Sequence, residues 1–172
     1  QKLINAEKKF KGRGGAPQRV ISSLYLEPGE KQENFKKRRV GGDRFHGRHK
    51  YAPIYEKYIN KLLESGEINL IVEFGVLQGS GIAIWSEIFP ESEIFGFDID
   101  TANYHSNLDF LKSRGFSDEN VKIAQVDQGE NNRDLFKKIF KDKKASLVID
   151  DGCHTDPCSI MTLESIWPFL AE

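Results

Sequence analysis

The residues Asp150-Asp151-Gly152-Cys153-His154 bring together side chains able to do chemistry. Two adjacent carboxylates offer hard oxygen ligands of the kind Mg²⁺ takes. A histidine three residues after Asp151 carries a ring that exchanges its proton near neutral pH, which suits a general base. The acid pair is therefore a candidate metal site, and Asp151 and His154 are the candidate catalytic residues. The plainer alternative is that the two aspartates end a strand and His154 supports the start of the next helix.

A second constellation lies upstream, in Leu70–Asp100. Leu70-Ile71-Val72 is a short β-branched apolar run, as expected of a buried parallel strand. It leads into Glu73-Phe74-Gly75, then Gly79, Ser80 and Gly81, a helical run over Ile82–Phe89 closed by Pro90, and a second strand, Ile94–Phe97, ending in Asp98. Strand, glycine turn, helix and acid-tipped strand form the first half of a nucleotide-binding unit. Gly75, Gly79 and Ser80 would accept a ligand at the turn, and Asp98 would accept hydrogen bonds from a ribose diol. In the dinucleotide fingerprint G-x-G-x-x-G the second glycine lets a pyrophosphate approach. That position is Leu77, which argues against the alternative of an NAD-type oxidoreductase. A ligand without phosphate fits better. S-adenosylmethionine has a ribose, an adenine and a cationic sulfonium, and Glu73 suits the cationic part. The stretch resembles the acid-x-G-x-x-x-G motif of class I S-adenosylmethionine-dependent methyltransferases. The glycines alone would also fit a turn in another α/β protein.

The elements that must position these residues read as a Rossmann-like α/β fold. Residues 51–65 are helical by the recurrence of Ile54, Tyr55, Tyr58, Ile59, Leu62 and Leu63, and Gly66 stops the helix. Asn103–Arg114 forms a helix ended by Gly115. Val121–Val126 is a third strand ending at Asp127-Gln128. Those two residues would face the adenine edge in a methyltransferase, or would simply mark a turn. Arg133–Phe140 is a helix whose apolar stripe belongs to the core. Ser146–Ile149 is the fourth strand, and a helix opens at Thr155-Asp156-Pro157 and runs through Leu170. Four parallel strands in the order 3-2-1-4 would bring the fourth beside the first. Ligands of open α/β sheets lie beyond the carboxyl ends of such strands.

The segment from Asp150 to His154 resembles the D-D-G-S-H motif of a metal-dependent sugar O-methyltransferase group, which includes macrolide-tailoring enzymes and cephalosporin hydroxylase-like relatives. Cys153 stands at the serine position. The resemblance implies that Asp151 binds the metal, Mg²⁺, and that His154 is the base. Upstream, Asp43-Arg44, His49-Lys50-Tyr51 and Ile54-Tyr55-Glu56 resemble the leading segment of a subset of these enzymes, with Arg for the family's Lys and Lys for its Gly. That segment lies over the cofactor, which makes Tyr51 a candidate cofactor contact; otherwise His46 and His49 belong to a solvated basic turn. The resemblance covers roughly residues 43–170. It implies a following Gly-Gly turn and a strand ending in Glu-Asp that adds metal ligands, whereas this sequence stops at Ala171-Glu172. The sheet is therefore expected to be truncated before the usual fifth to seventh strands. The implied activity is S-adenosylmethionine-dependent methyl transfer to a hydroxyl of a sugar or glycosylated small molecule. A third reading is an inactive S-adenosylmethionine-binding module acting through a basic arm.

At 172 residues the chain is one domain by length, able to bury roughly 70% of its surface. No apolar run approaches the length of a membrane span, and the first residues lack the apolar core of a signal peptide. Cys153 and Cys158 make no disulfide framework, so a cytoplasmic location is expected. The net charge of −1 hides an asymmetry: residues 1–50 carry 14 Lys and Arg against 5 Asp and Glu. Residues 1–48 read as an extended basic arm and 49–172 as the methyltransferase-like domain. Lys36-Lys37-Arg38-Arg39 lacks the aromatic interleaving of a nucleic-acid site, so a solvated or self-docking arm is favoured over a nucleic-acid partner. An unpaired fourth-strand edge would favour a homo-oligomer.

Overall fold

The computed structural model describes residues 2–10, 52–66 and 68–171. In chain order these form α1 (Lys2–Phe10), α2 (Ala52–Ser65), β1 (Leu70–Phe74), α3 (Ser80–Ile88), β2 (Glu93–Asp98), α4 (Ala102–Ser113), β3 (Val121–Gln125), α5 (Arg133–Phe140), β4 (Leu147–Asp150) and α6 (Asp156–Ile166), followed by a 3₁₀ turn, Trp167–Phe169. The strands form one sheet in the order β3-β2-β1-β4, all parallel, as the sequence predicts.

Alternation along the strands sends side chains to two cores. Ile71 and Ile94 join Ile82, Trp85 and Leu111 on the face covered by α3 and α4. Leu70, Val72, Phe74, Phe95 and Phe97 point the other way, onto Phe136 and Phe140 of α5 and Phe169. Phe136 and Phe140 are completely buried, each contributing roughly 1.5–3 kcal/mol of burial. Their rings stack at 5.4 Å and meet Phe97 and Phe95 at 5.2 Å, respectively. This aromatic cluster anchors α5, so the turn after β3 is fixed at both ends.

Two differences from the sequence reading have physical causes. Lys2–Phe10, expected to be part of an extended arm, is a helix. Leu3, Ala6 and Phe10 recur at helical spacing and are buried in the first core. Phe10 meets the Phe116 ring edge-on at 6.4 Å, and Lys9 pairs with Glu87 at 2.7 Å. The last helix does not run unbroken to Leu170: α6 ends at Ile166, and Pro168, lacking an N–H, lies in the tighter 3₁₀ turn. Lys36–Arg39 lies outside the described residues.

Among the described residues, β4 pairs along its length with β1 alone. Ala145, just before it, makes an isolated parallel bridge with Leu170. A groove of about 530 Å³ runs along this outer edge, lined by Leu147, Thr162, Leu163 and Ile166 among others. No helix among the described residues is long and apolar enough to cross a membrane.

Candidate functional site

All four strands end at the same edge, which gathers the turn after β1, Asp98, Asp127, Gln128 and the 150–154 segment. Tyr51, with Asp43, Arg44, His46, His49 and Lys50, lies outside the described residues.

The β1 turn is built on two close approaches. Gly75 has φ +87°, and a Cβ there would sit 2.2 Å from the Asp151 carbonyl oxygen. Glycine is needed at this position because the chain leaving β4 crosses directly over it, and the Asp151 N–H donates to the Phe74 carbonyl at 2.9 Å. Gly79, at φ +79°, lies against the Tyr104 ring, where a Cβ would approach within 2.5 Å. Burial pushes the Tyr104 phenol up to about 12, with a smaller contribution from Asp118, which keeps this packed ring neutral. Ser80 follows Gly79 as the first residue of α3 and is half-buried.

Asp98 latches this turn. Its Oδ2 accepts the Leu77 N–H at 2.8 Å and its Oδ1 accepts the Asp100 N–H at 3.1 Å. A carboxylate has about four acceptor positions, so two bonds leave capacity for a diol. Leu77 itself sits at φ 49° with its side chain exposed. Glu73 is only 1% exposed, so its carboxylate lies inside the protein rather than on the rim.

Beyond β3, the Asp127 Oδ1 accepts the Gly129 N–H at 2.7 Å, the local turn that such strand ends favour. Gln128 reaches across to the 150–154 segment. Its Nε2 donates to Asp150 Oδ1 at 2.9 Å and to the Thr162 hydroxyl at 3.0 Å, and its Oε1 accepts the Cys153 N–H at 2.9 Å. Both donors are thus engaged within the protein.

Asp150 is bound to this scaffold, whereas Asp151 stands beside His154, with Nε2 to Oδ1 at 3.8 Å. Both side chains are exposed, at 42% and 71%. His154 adopts φ 56°, a left-handed conformation that histidine tolerates better than most residues, at roughly 1–3 kcal/mol of strain. The Thr155 hydroxyl contacts the Cys153 sulfur at 3.3 Å. Hydrogen bonding from Cys158, then Thr155, holds the Cys153 thiol below its ordinary value, while the bond to Cys153 pushes Cys158 up. The sequence shows the five-residue separation of the two thiols across a helix start, but not this interaction between them.

No family model and no curated protein matches the chain. Among solved structures it is similar to a candidate O-methyltransferase from Klebsiella pneumoniae, with 10% identity and a TM-score of 0.51 over 98% of this chain and 59% of that one. It is also similar to EvdMO1, with 16% identity and a TM-score of 0.51 over 90% of this chain and 35% of the other. At these identities the likeness is one of fold. The chain has the Rossmann-like α/β fold found among methyltransferases, and it spans less than two thirds of the length of the structures it matches.

Proposed function

We propose that this chain belongs to an S-adenosylmethionine-dependent O-methyltransferase that acts on a hydroxyl of a sugar or glycosylated small molecule. The observation that carries this reading is the convergence at Gly75. The turn latched by Asp98 and the chain bearing Asp151 and His154 touch there, so a nucleoside-recognising acid and an acid–base pair share one edge of the sheet. Leu77 supports a ligand without a pyrophosphate, because its side chain replaces the glycine a dinucleotide requires.

Asp98 fits the ribose hydroxyls and the Gly75–Gly79 turn fits the adjoining part of the cofactor. S-adenosylmethionine, when bound, supplies a methyl group already made electrophilic by the sulfonium. The protein then has to align an acceptor and remove its proton. With Nε2 of His154 turned to Asp151, a neutral ring presents Nδ1 as the base. The Asp151 carboxylate stabilises the imidazolium that results. Among the described residues no group of three or more His, Cys, Asp or Glu is arranged to hold a metal. Asp151 would supply one oxygen ligand to Mg²⁺, and the part assigned to Asp151 here is electrostatic.

The test is methyl transfer from labelled S-adenosylmethionine to a panel of glycosylated small molecules. His154→Ala should lower turnover by roughly 10²–10⁴-fold while S-adenosylhomocysteine affinity stays near that of wild type. Undiminished turnover in the variant would refute the assignment of the base.

A further inference from the structure

The two aspartates are adjacent in sequence yet differ in their surroundings, and Gln128 makes much of the difference. Its amide touches three elements: the end of β4 through Asp150, the following loop through the Cys153 N–H, and α6 through Thr162. The loop is shaped to admit it, since a Cβ on Gly152 would lie 1.9 Å from the Gln128 Oε1. The turn that carries Gln128 is itself braced. Asn132 Nδ2 donates to the Asp127 and Glu130 carbonyls, each at 2.8 Å, and the Asn132 N–H donates to Ser165 Oγ of α6 at 3.1 Å.

We infer that Gln128 is a positioning residue. By holding Asp150 and the Cys153 amide, it fixes which aspartate faces the site and keeps His154 beside Asp151. This role takes the place of the adenine contact expected of Gln128, whose two amide hydrogens are engaged by Asp150 and Thr162. The inference rests on the reading of Asp151 and His154 as the working pair.

The geometry dictates an exchange test. Gln128→Glu sets a carboxylate against Asp150 and removes both N–H donors. Asp150→Asn leaves an amide oxygen that still accepts from Gln128. The double variant restores a donor–acceptor pair with its direction reversed, and the new Glu can still accept the Cys153 N–H and the Thr162 hydroxyl. Two readouts are independent of turnover: amide hydrogen exchange at Gly152–His154 and the rate of His154 modification by diethyl pyrocarbonate. Gln128→Glu should accelerate exchange by roughly tenfold or more, as the loss of one or two net hydrogen bonds implies, and should change the His154 rate. Asp150→Asn should stay near wild type, and the double variant should recover most of the loss in both readouts. An unperturbed single variant, or a double variant no better than Gln128→Glu, overturns the inference. So does recovery of exchange while the His154 rate never changes, since Gln128 then braces the loop without positioning the pair. S-adenosylhomocysteine titration of the same proteins keeps the two claims apart. If wild type fails to bind while both readouts follow the expected pattern, the cofactor reading falls and the role of Gln128 is supported.

Discussion

The carboxylate of Asp98 accepts the Leu77 N–H at 2.8 Å, so the acid that tips β2 closes the glycine turn after β1. One residue thereby ties the end of β2 to the turn after β1, and the ribose contact proposed for Asp98 would use the same carboxylate. The turn can take its left-handed steps at Gly75, Leu77 and Gly79 because a neighbouring strand end holds it.

Substitution tests the observed latch and the proposed ribose contact of Asp98. Asp98→Asn keeps an oxygen for the Leu77 N–H, so its thermal midpoint should stay close to wild type. Asp98→Ala should lose the latch and weaken S-adenosylhomocysteine binding by roughly 1.5–3 kcal/mol, the range for hydrogen bonds to a charged group. Calorimetry on Asp98→Ala checks this; unchanged affinity there would remove the ribose assignment.

Gly75→Ala should be among the costliest small substitutions. The new methyl meets the Asp151 backbone at 2.2 Å, where no flexible side chain can yield, and the residue must also hold φ +87°. We expect a loss of roughly 1–3 kcal/mol or more in urea unfolding. A variant as stable as wild type would contradict the close approach of the chain leaving β4 to the turn after β1.

The N-terminal helix should contribute to the stability of the domain. Phe10 is 1% exposed, so Phe10→Ala should cost roughly 3–5 kcal/mol. Lys2→Ala, at an exposed position of the same helix, serves as the composition control, and a solvated arm would show no difference between the two in urea midpoint.

Cys153 and Cys158 should titrate apart. The Cys153 thiol lies below its ordinary value and Cys158 above it, each chiefly through its hydrogen bond to the other. As pH rises, thiolate forms first at Cys153, so iodoacetamide labelling followed by mass spectrometry should give Cys153 the lower midpoint. Cys158→Ala should move that midpoint upward. Coincident midpoints in wild type would show that the two thiols are not coupled.

The parallel sheet was legible because glycine, proline and acids punctuate short apolar runs; Leu70–Val72, Ile94–Phe97 and Ser146–Ile149 each fall within a residue or two of the observed strands. The helix Lys2–Phe10 is hard to read among so many lysines, because a nine-residue helix gains its stability from packing on α3 rather than from propensity. Gly75 was recognisable as a special glycine, but its reason was not, since the clashing atom belongs to Asp151, 76 residues away. Gln128 is visible in the sequence as a strand-end residue, but its bonds to Asp150 and Thr162 span 22 and 34 residues and are not. Local patterns reveal elements and turn residues, whereas long-range hydrogen bonds depend on how the elements meet.

The most direct test of the central claim is calorimetric titration of the wild-type protein with S-adenosylhomocysteine and, separately, with NAD. Saturable binding of S-adenosylhomocysteine with no heat from NAD is the expected result. Binding of NAD without S-adenosylhomocysteine, or binding of neither, would contradict the assignment of this sheet edge to an S-adenosylmethionine-dependent methyl transfer.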